Sequence, residues 1–110
     1  KKETIFCERV KGRFKLRRGF RINKGANVLI IEDVITTGKS SMECVKIIKQ
    51  AKAKLVGFAS IIDRSTKKTL KIKKKIISHL KIDVPTYPKK KIPKSLASIK
   101  ITTPGSRFIK

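Results

Sequence analysis

The strongest constraint on the fold is an ordered trio of segments between residues 28 and 62. Val28-Leu29-Ile30-Ile31 is a short, β-branched apolar run, which suits a buried central strand. The stretch from Glu32 to Ser41 is mostly polar and contains Gly38, as a loop does. From Ser40 to about Ala53, Met42, Val45, Ile48 and Ala51 recur every three residues, with Cys44 and Ile47 beside them. That spacing predicts an amphipathic helix, with Thr and Ser side chains at its start for capping. Leu55 to Ile62 is a second apolar strand. Strand, loop, helix and strand make a βαβ crossover, which requires parallel strands. The predicted class is α/β.

The flanks are less regular. Residues 5–22 read as extended, because Phe14 and Leu16 alternate with Arg13, Lys15 and Arg17. Asn23-Lys24-Gly25 signals a turn, Ile76 to Leu80 a third short strand, and Pro85, Pro88, Pro93 and Pro104 a loop-rich tail. We divide a single domain, 1–110, into an extended segment at 1–22, a βαβ core at 23–65 and a strand with tail at 66–110. A doubly wound sheet needs more strands than this. Strand-like sequence also begins almost at once, and the sole methionine is Met42. We therefore expect a fragment whose N-terminal part is missing.

Thirty bases against seven acids give a formal net charge of +23. Such a charge favours polyanions. The bases are spread along the chain, however, and the few aromatics do not interleave with them as a nucleic-acid stacking platform requires. No specific nucleic-acid partner is expected. No apolar run is long enough to span a membrane, and no secretory signal pattern opens the chain. Cys7 and Cys44 lack metal-ligand spacing, and a reducing, cytoplasmic location is the expectation.

Chemistry concentrates in Val28 to Ser40. Two adjacent carboxylates, Glu32 and Asp33, are followed by Val34, Ile35, Thr36, Thr37, Gly38, Lys39 and Ser40 at a helix start. Backbone N–H groups, the three hydroxyls and the positive helix end suit a phosphate. Carboxylates repel phosphate, so they must hold hydrogen-bond donors such as sugar hydroxyls, or a divalent cation. A phosphate at one end and a diol at the other describe a ribose 5-phosphate. A nucleotide P-loop is excluded, since it needs glycine five residues before Gly38 and position 33 is Asp. An acidic pair alone is weak evidence; its combination with the hydroxyl loop is not.

This segment resembles the phosphoribosyl pyrophosphate (PRPP) signature of type I phosphoribosyltransferases. Phe6 to Gly12, Leu16 to Phe20, Ile61 to Ser65, Asp83 to Pro88 and Pro104 to Arg107 resemble, in order, segments of orotate phosphoribosyltransferases. The cysteine pair often found after the Tyr-Pro step is replaced here by Lys91 to Lys94. The resemblance implies a Rossmann-like parallel sheet with flanking helices, with residues 23–65 as its PRPP-binding core. It implies that Glu32 and Asp33 hold the ribose hydroxyls, that Thr36 to Ser40 hold the 5′-phosphate, and that Thr36 and Arg64 meet orotate. Arg9 and Lys11 would be catalytic bases on a mobile loop closing over pyrophosphate, although they read equally well as solvated charges. His79, Arg17 and Arg18 are given no role in the reaction. The implied reaction joins ribose 5-phosphate to orotate, giving orotidine 5′-monophosphate and pyrophosphate in pyrimidine biosynthesis. Mg²⁺ is expected through PRPP rather than through a protein cage, and a homodimer is implied. The isolated fragment is expected to be inactive. The alternatives are another phosphoribosyltransferase, a non-catalytic PRPP-binding regulator, or a basic nucleic-acid-binding module.

Overall fold

β-Branched and aromatic residues in three runs build the sheet on which everything else rests. The computed structural model describes residues 2–85, 87–100 and 102. In chain order these form β1 (Cys7–Val10), β2 (Arg13–Leu16), β3 (Asn27–Ile35), α1 (Lys39–Gln50), β4 (Lys54–Asp63) and β5 (Ile76–Lys81). A single 3-10 turn at Lys89–Lys91 and a short α2 (Lys94–Ala97) follow. The strands β3, β4 and β5 lie in that order and pair in parallel, as the crossover requires. The last proline segment read from the sequence, Pro104 to Arg107, lies outside the described residues.

The core is the seam between α1 and one face of that sheet. Ser41, Val45 and Ile48 are the buried residues of the helix and recur at helical spacing. Val45 and Ile48 meet Ile30 and Ile35 of β3, Phe58 of β4 and Ile72, with Met42, Cys44, Leu55, Leu70 and Ile76 packed around them. Each fully buried aliphatic or aromatic side chain contributes about 1.5–3 kcal/mol, so this seam supplies most of the cohesion.

The structure revises three boundaries. β3 does not stop at Ile31. It runs on to Ile35, because Val34 and Ile35 are themselves β-branched and Glu32, Val34 and Ile35 pair with Ser60, Ile62 and Asp63. The connecting loop shrinks to Thr36-Thr37-Gly38, and the two acids lie inside the strand. β3 is also an edge strand of the described sheet, with β4 at the centre. Its outward residues Leu29 and Ile31 are 48% and 68% exposed.

Helix α1 begins at Lys39 and ends at Gln50. At its start Gly38 occupies the cap with a left-handed φ of 70°, and no side chain caps it. At its end Lys52 turns left-handed (φ 54°), the Lys52 N–H bonds Lys49 O at 2.9 Å, and the Ala53 N–H bonds Ile48 O at 3.1 Å. This paired closure stops the helix although Ala51 and Ala53 continue its pattern.

The extended N-terminal segment is a two-stranded antiparallel hairpin, with Val10 opposite Arg13 across Lys11-Gly12. Both turn residues have positive φ, 47° and 77°, the tight geometry that matches strand twist.

Candidate functional site

The end of β3 delivers the chain to a small cavity of about 80 Å³ lined by Glu32 and by Val34 to Ser40. Its volume is far below the roughly 300–1,000 Å³ of a pocket that encloses a drug-sized ligand, so it suits a compact group. Its floor is the first turn of α1. No acidic residue occupies that turn, so nothing in it opposes an anion at the positive helix end. The Lys39 N–H bonds Thr37 Oγ1 at 3.3 Å, holding the Thr37 hydroxyl at the mouth.

The loop is clamped from behind. The Lys71 N–H bonds Thr37 O at 2.9 Å, and the Arg64 N–H bonds Ile35 O at 2.8 Å. Leu70 and Ile72 lie over Gly38, where a Cβ would come within 2.7 Å of the Ile72 side chain. Gly38 is required twice, by its left-handed backbone and by this contact.

Glu32 and Asp33 do not act as a side-by-side pair. Successive strand residues face opposite sides. The Glu32 side chain turns toward α1 and accepts a hydrogen bond from the fully buried Ser41 hydroxyl. Asp33 is exposed, and its Oδ1 accepts the Val34 N–H at 2.7 Å. The cavity thus gathers Glu32 and the hydroxyl loop, and Asp33 is not among its lining residues.

Arg64 follows β4 on the same rim. Its Nε is buried without a hydrogen-bond partner, one of two such side-chain atoms among the described residues; the other is Ser60 Oγ. A second cavity of about 460 Å³ adjoins it in sequence, lined by Ser65, Thr66, Lys67, Lys81, Ile82 and Asp83. At its edge Asp63 is buried. Burial pushes the Asp63 carboxyl up, but bonds from the Ser65 hydroxyl and N–H (2.8 Å) and the Lys81 ammonium at 3.5 Å hold it below the ordinary carboxylate value.

Arg9 and Lys11 lie elsewhere. The hairpin is docked on α1 by Glu43, whose carboxylate meets the Arg9 guanidinium and the Phe14 N–H at 3.4 Å. Arg9 also stacks on the Phe14 ring at 4.3 Å and donates to Gly12 O at 2.6 Å. Lys11 is exposed at the turn, and neither base lines the cavity. Arg17 and Arg18 pair with Glu8, and His79 is exposed on β5. Cys7 and Cys44 are free thiols. Burial, the neighbouring Cys7 and then Glu32 and Glu43 push the Cys44 thiol up to about 12, so it stays protonated.

Sequence reasoning missed Ser41 and Glu43. Glu43 carried a usable signal, as one of seven acids among thirty bases. Ser41 carried none, because only the fold shows that it faces Glu32. Among the described residues no cluster of three or more His, Cys, Asp or Glu could hold a metal, and no helix is long and apolar enough to cross a membrane.

Residues 4–95 match the phosphoribosyl transferase domain. The chain belongs to that family. Among its relatives, the orotate phosphoribosyltransferase of Parvibaculum lavamentivorans is 45% identical over 106 residues, covering 96% of this chain and 54% of the relative. That of Caulobacter vibrioides is 43% identical over 107 residues, covering 97% and 55%. The chain spans about half the length of the curated relatives it matches. A solved adenine phosphoribosyltransferase from Leishmania donovani aligns with a TM-score of 0.48 and 27% identity, over 62% of this chain and 33% of that one. Because the family match spans residues 4–95, the parallel sheet with its flanking helix is the scaffold of a phosphoribosyl transferase domain, and the two curated relatives named above are orotate phosphoribosyltransferases.

Proposed function

We propose that this domain supplies the ribose-phosphate end of an orotate phosphoribosyltransferase site. The observation that carries this reading is one cavity lined by both a carboxylate, Glu32, and the Thr36–Ser40 hydroxyl loop at the start of a helix. The loop's N–H groups and hydroxyls take the 5′-phosphate, while Glu32 accepts ribose hydroxyls; Asp33, which lies off the cavity, joins it only by leaving its bond to the Val34 N–H. Arg64 has an unpartnered guanidinium nitrogen and takes the orotate carboxylate, which its planar fork fits; Thr36 flanks it. Names of the relatives support orotate as the acceptor.

In the reaction an orotate ring nitrogen bonds to C1 of the ribose as the bond from C1 to pyrophosphate breaks. That electron pair leaves with the pyrophosphate, and the proton the nitrogen sheds passes to the departing pyrophosphate or to water. Positive charge develops on the sugar ring, as in glycosyl transfer, and the Glu32 carboxylate that lines the cavity stabilises it. The donor set fits a Mg²⁺ that arrives on the ligand's own phosphates, since hard ions of this kind take one or two carboxylates and keep their remaining sites for phosphate and water. When bound, it neutralises charge on the leaving group. Arg9 and Lys11 serve pyrophosphate only if the hairpin leaves its Glu43 anchor, or if they serve a second subunit of a homodimer. A cytoplasmic setting is consistent with this chemistry.

Calorimetry with PRPP and Mg²⁺ tests the assignment. Glu32→Gln should weaken binding by about 1–3 kcal/mol, the scale of a charge-assisted hydrogen bond, and Asp33→Asn by less, since Asp33 lies off the cavity. Unchanged affinity in both variants would refute it. For the acceptor, Arg64→Ala in the complete enzyme should raise KM for orotate far more than KM for PRPP. Equal effects on both substrates would remove Arg64 from the orotate site.

A further inference from the structure

We propose that Ser41 is a positioning residue that fixes the Glu32 carboxylate for sugar hydroxyls and so selects a ribose-bearing phosphate over a bare one. The inference rests on the ribose-phosphate reading of the cavity. Ser41 is fully buried in the first turn of α1, on the face that meets the sheet, and its hydroxyl donates to Glu32 Oε1. Ser60, opposite Glu32 in the β3–β4 register, has a buried hydroxyl with no partner, so it does not duplicate this bond.

The chemistry follows from what a carboxylate can accept. An ionised Glu is acceptor-only, with about four lone-pair sites on two oxygens. Ser41 occupies one of them and pins the group against the helix. The remaining sites belong to a residue that lines the cavity. Ribose hydroxyls can donate to them. Inorganic phosphate carries its O–H only on the charged group itself, so once that group sits in the Thr36–Ser40 loop it has no diol to offer Glu32. Without Ser41 the half-buried carboxylate loses its one donor among the described residues and relaxes toward water, and its fixed geometry for the diol is lost. The phosphate contacts come from Thr36 to Ser40 and are unaffected.

NMR titration of the full chain with ribose 5-phosphate and, separately, with inorganic phosphate provides the test. Ser41→Ala should weaken ribose 5-phosphate binding about tenfold while leaving inorganic phosphate within about twofold. Ser41→Cys retains the size and a weak donor, and should fall between Ser41→Ala and the parent. If Glu32→Gln lowers ribose 5-phosphate affinity but Ser41→Ala and Ser41→Cys do not, the positioning role is wrong and the cavity assignment stands. If Glu32→Gln also has no effect, the cavity assignment itself falls. If both ligands weaken together in the Ser41 variants, Ser41 is merely structural and the proposal is overturned.

Discussion

Asp63 shows how one residue at the sheet's carboxyl rim ties stability to pH. The Asp63 carboxylate is buried, yet two bonds from Ser65 and the Lys81 ammonium keep it ionised. Its folded pKa lies below the unfolded value of about 3.9. The sign is then fixed: the unfolded chain binds the proton first as pH falls. The stabilisation is fully present above about pH 4 and is lost as pH drops through the lowered folded value. Urea midpoints measured from pH 7 to pH 2.5 should fall more steeply for the parent than for Asp63→Asn, although the variant is weaker at pH 7. Equal slopes would show that Asp63 gains nothing from its partners. At this scale the sequence was partly legible. The acids, the hydroxyl loop and Gly38 stood out as types in a pattern. The opposite orientations of Glu32 and Asp33 did not, because they depend on β3 continuing past Ile31. The Ile72 side chain over Gly38 was equally hidden, since that contact joins positions far apart in sequence.

Elements were legible wherever apolar spacing had one period, and boundaries were lost where two signals competed. Val34 and Ile35 extended β3 into residues whose polarity suggested a loop. Ala51 and Ala53 continued the helical pattern beyond the point where the backbone closed on Lys52. That closure places a lysine in the left-handed conformation, which costs a residue with a Cβ about 1–2 kcal/mol. Glycine avoids this cost but loses more conformational freedom on folding, by about 0.5–1 kcal/mol. The first effect is larger, so Lys52→Gly should stabilise the domain by about 0.5–1 kcal/mol. Denaturant titration with an unchanged m-value would verify it. A destabilised variant would mean that Lys52 makes contacts that outweigh its backbone strain. The hairpin gave a different lesson. Alternation from Arg13 to Arg17 predicted β2, whereas β1 read only as extended chain, and the hairpin's docking depends on Glu43, 34 residues beyond Arg9 and 29 beyond Phe14.

Two properties of the whole molecule oppose each other. The sheet face away from α1 exposes Leu29, Ile31, Val56, Ile61 and Ile77, each by 48% or more. Parallel sheets are ordinarily covered on both faces, so this apolar surface drives association. The net charge of +23 drives copies apart. The balance depends on salt, because the Debye length shrinks from about 10 Å at 0.1 M to about 3 Å at 1 M, while apolar attraction is not screened. At low salt repulsion between chains dominates and the protein stays dispersed. As salt rises, repulsion fades and the exposed face governs. Light scattering from the 110-residue chain should therefore report a mass that increases between 0.05 M and 1 M NaCl. Placing lysine at both Ile31 and Ile77, neighbours of Ala59 on the two flanking strands, should abolish the increase without unfolding the core on the opposite face. A rise that persists in the double variant would assign association to another surface. A mass that falls with salt would show that charge, through bound polyanions, holds the copies together.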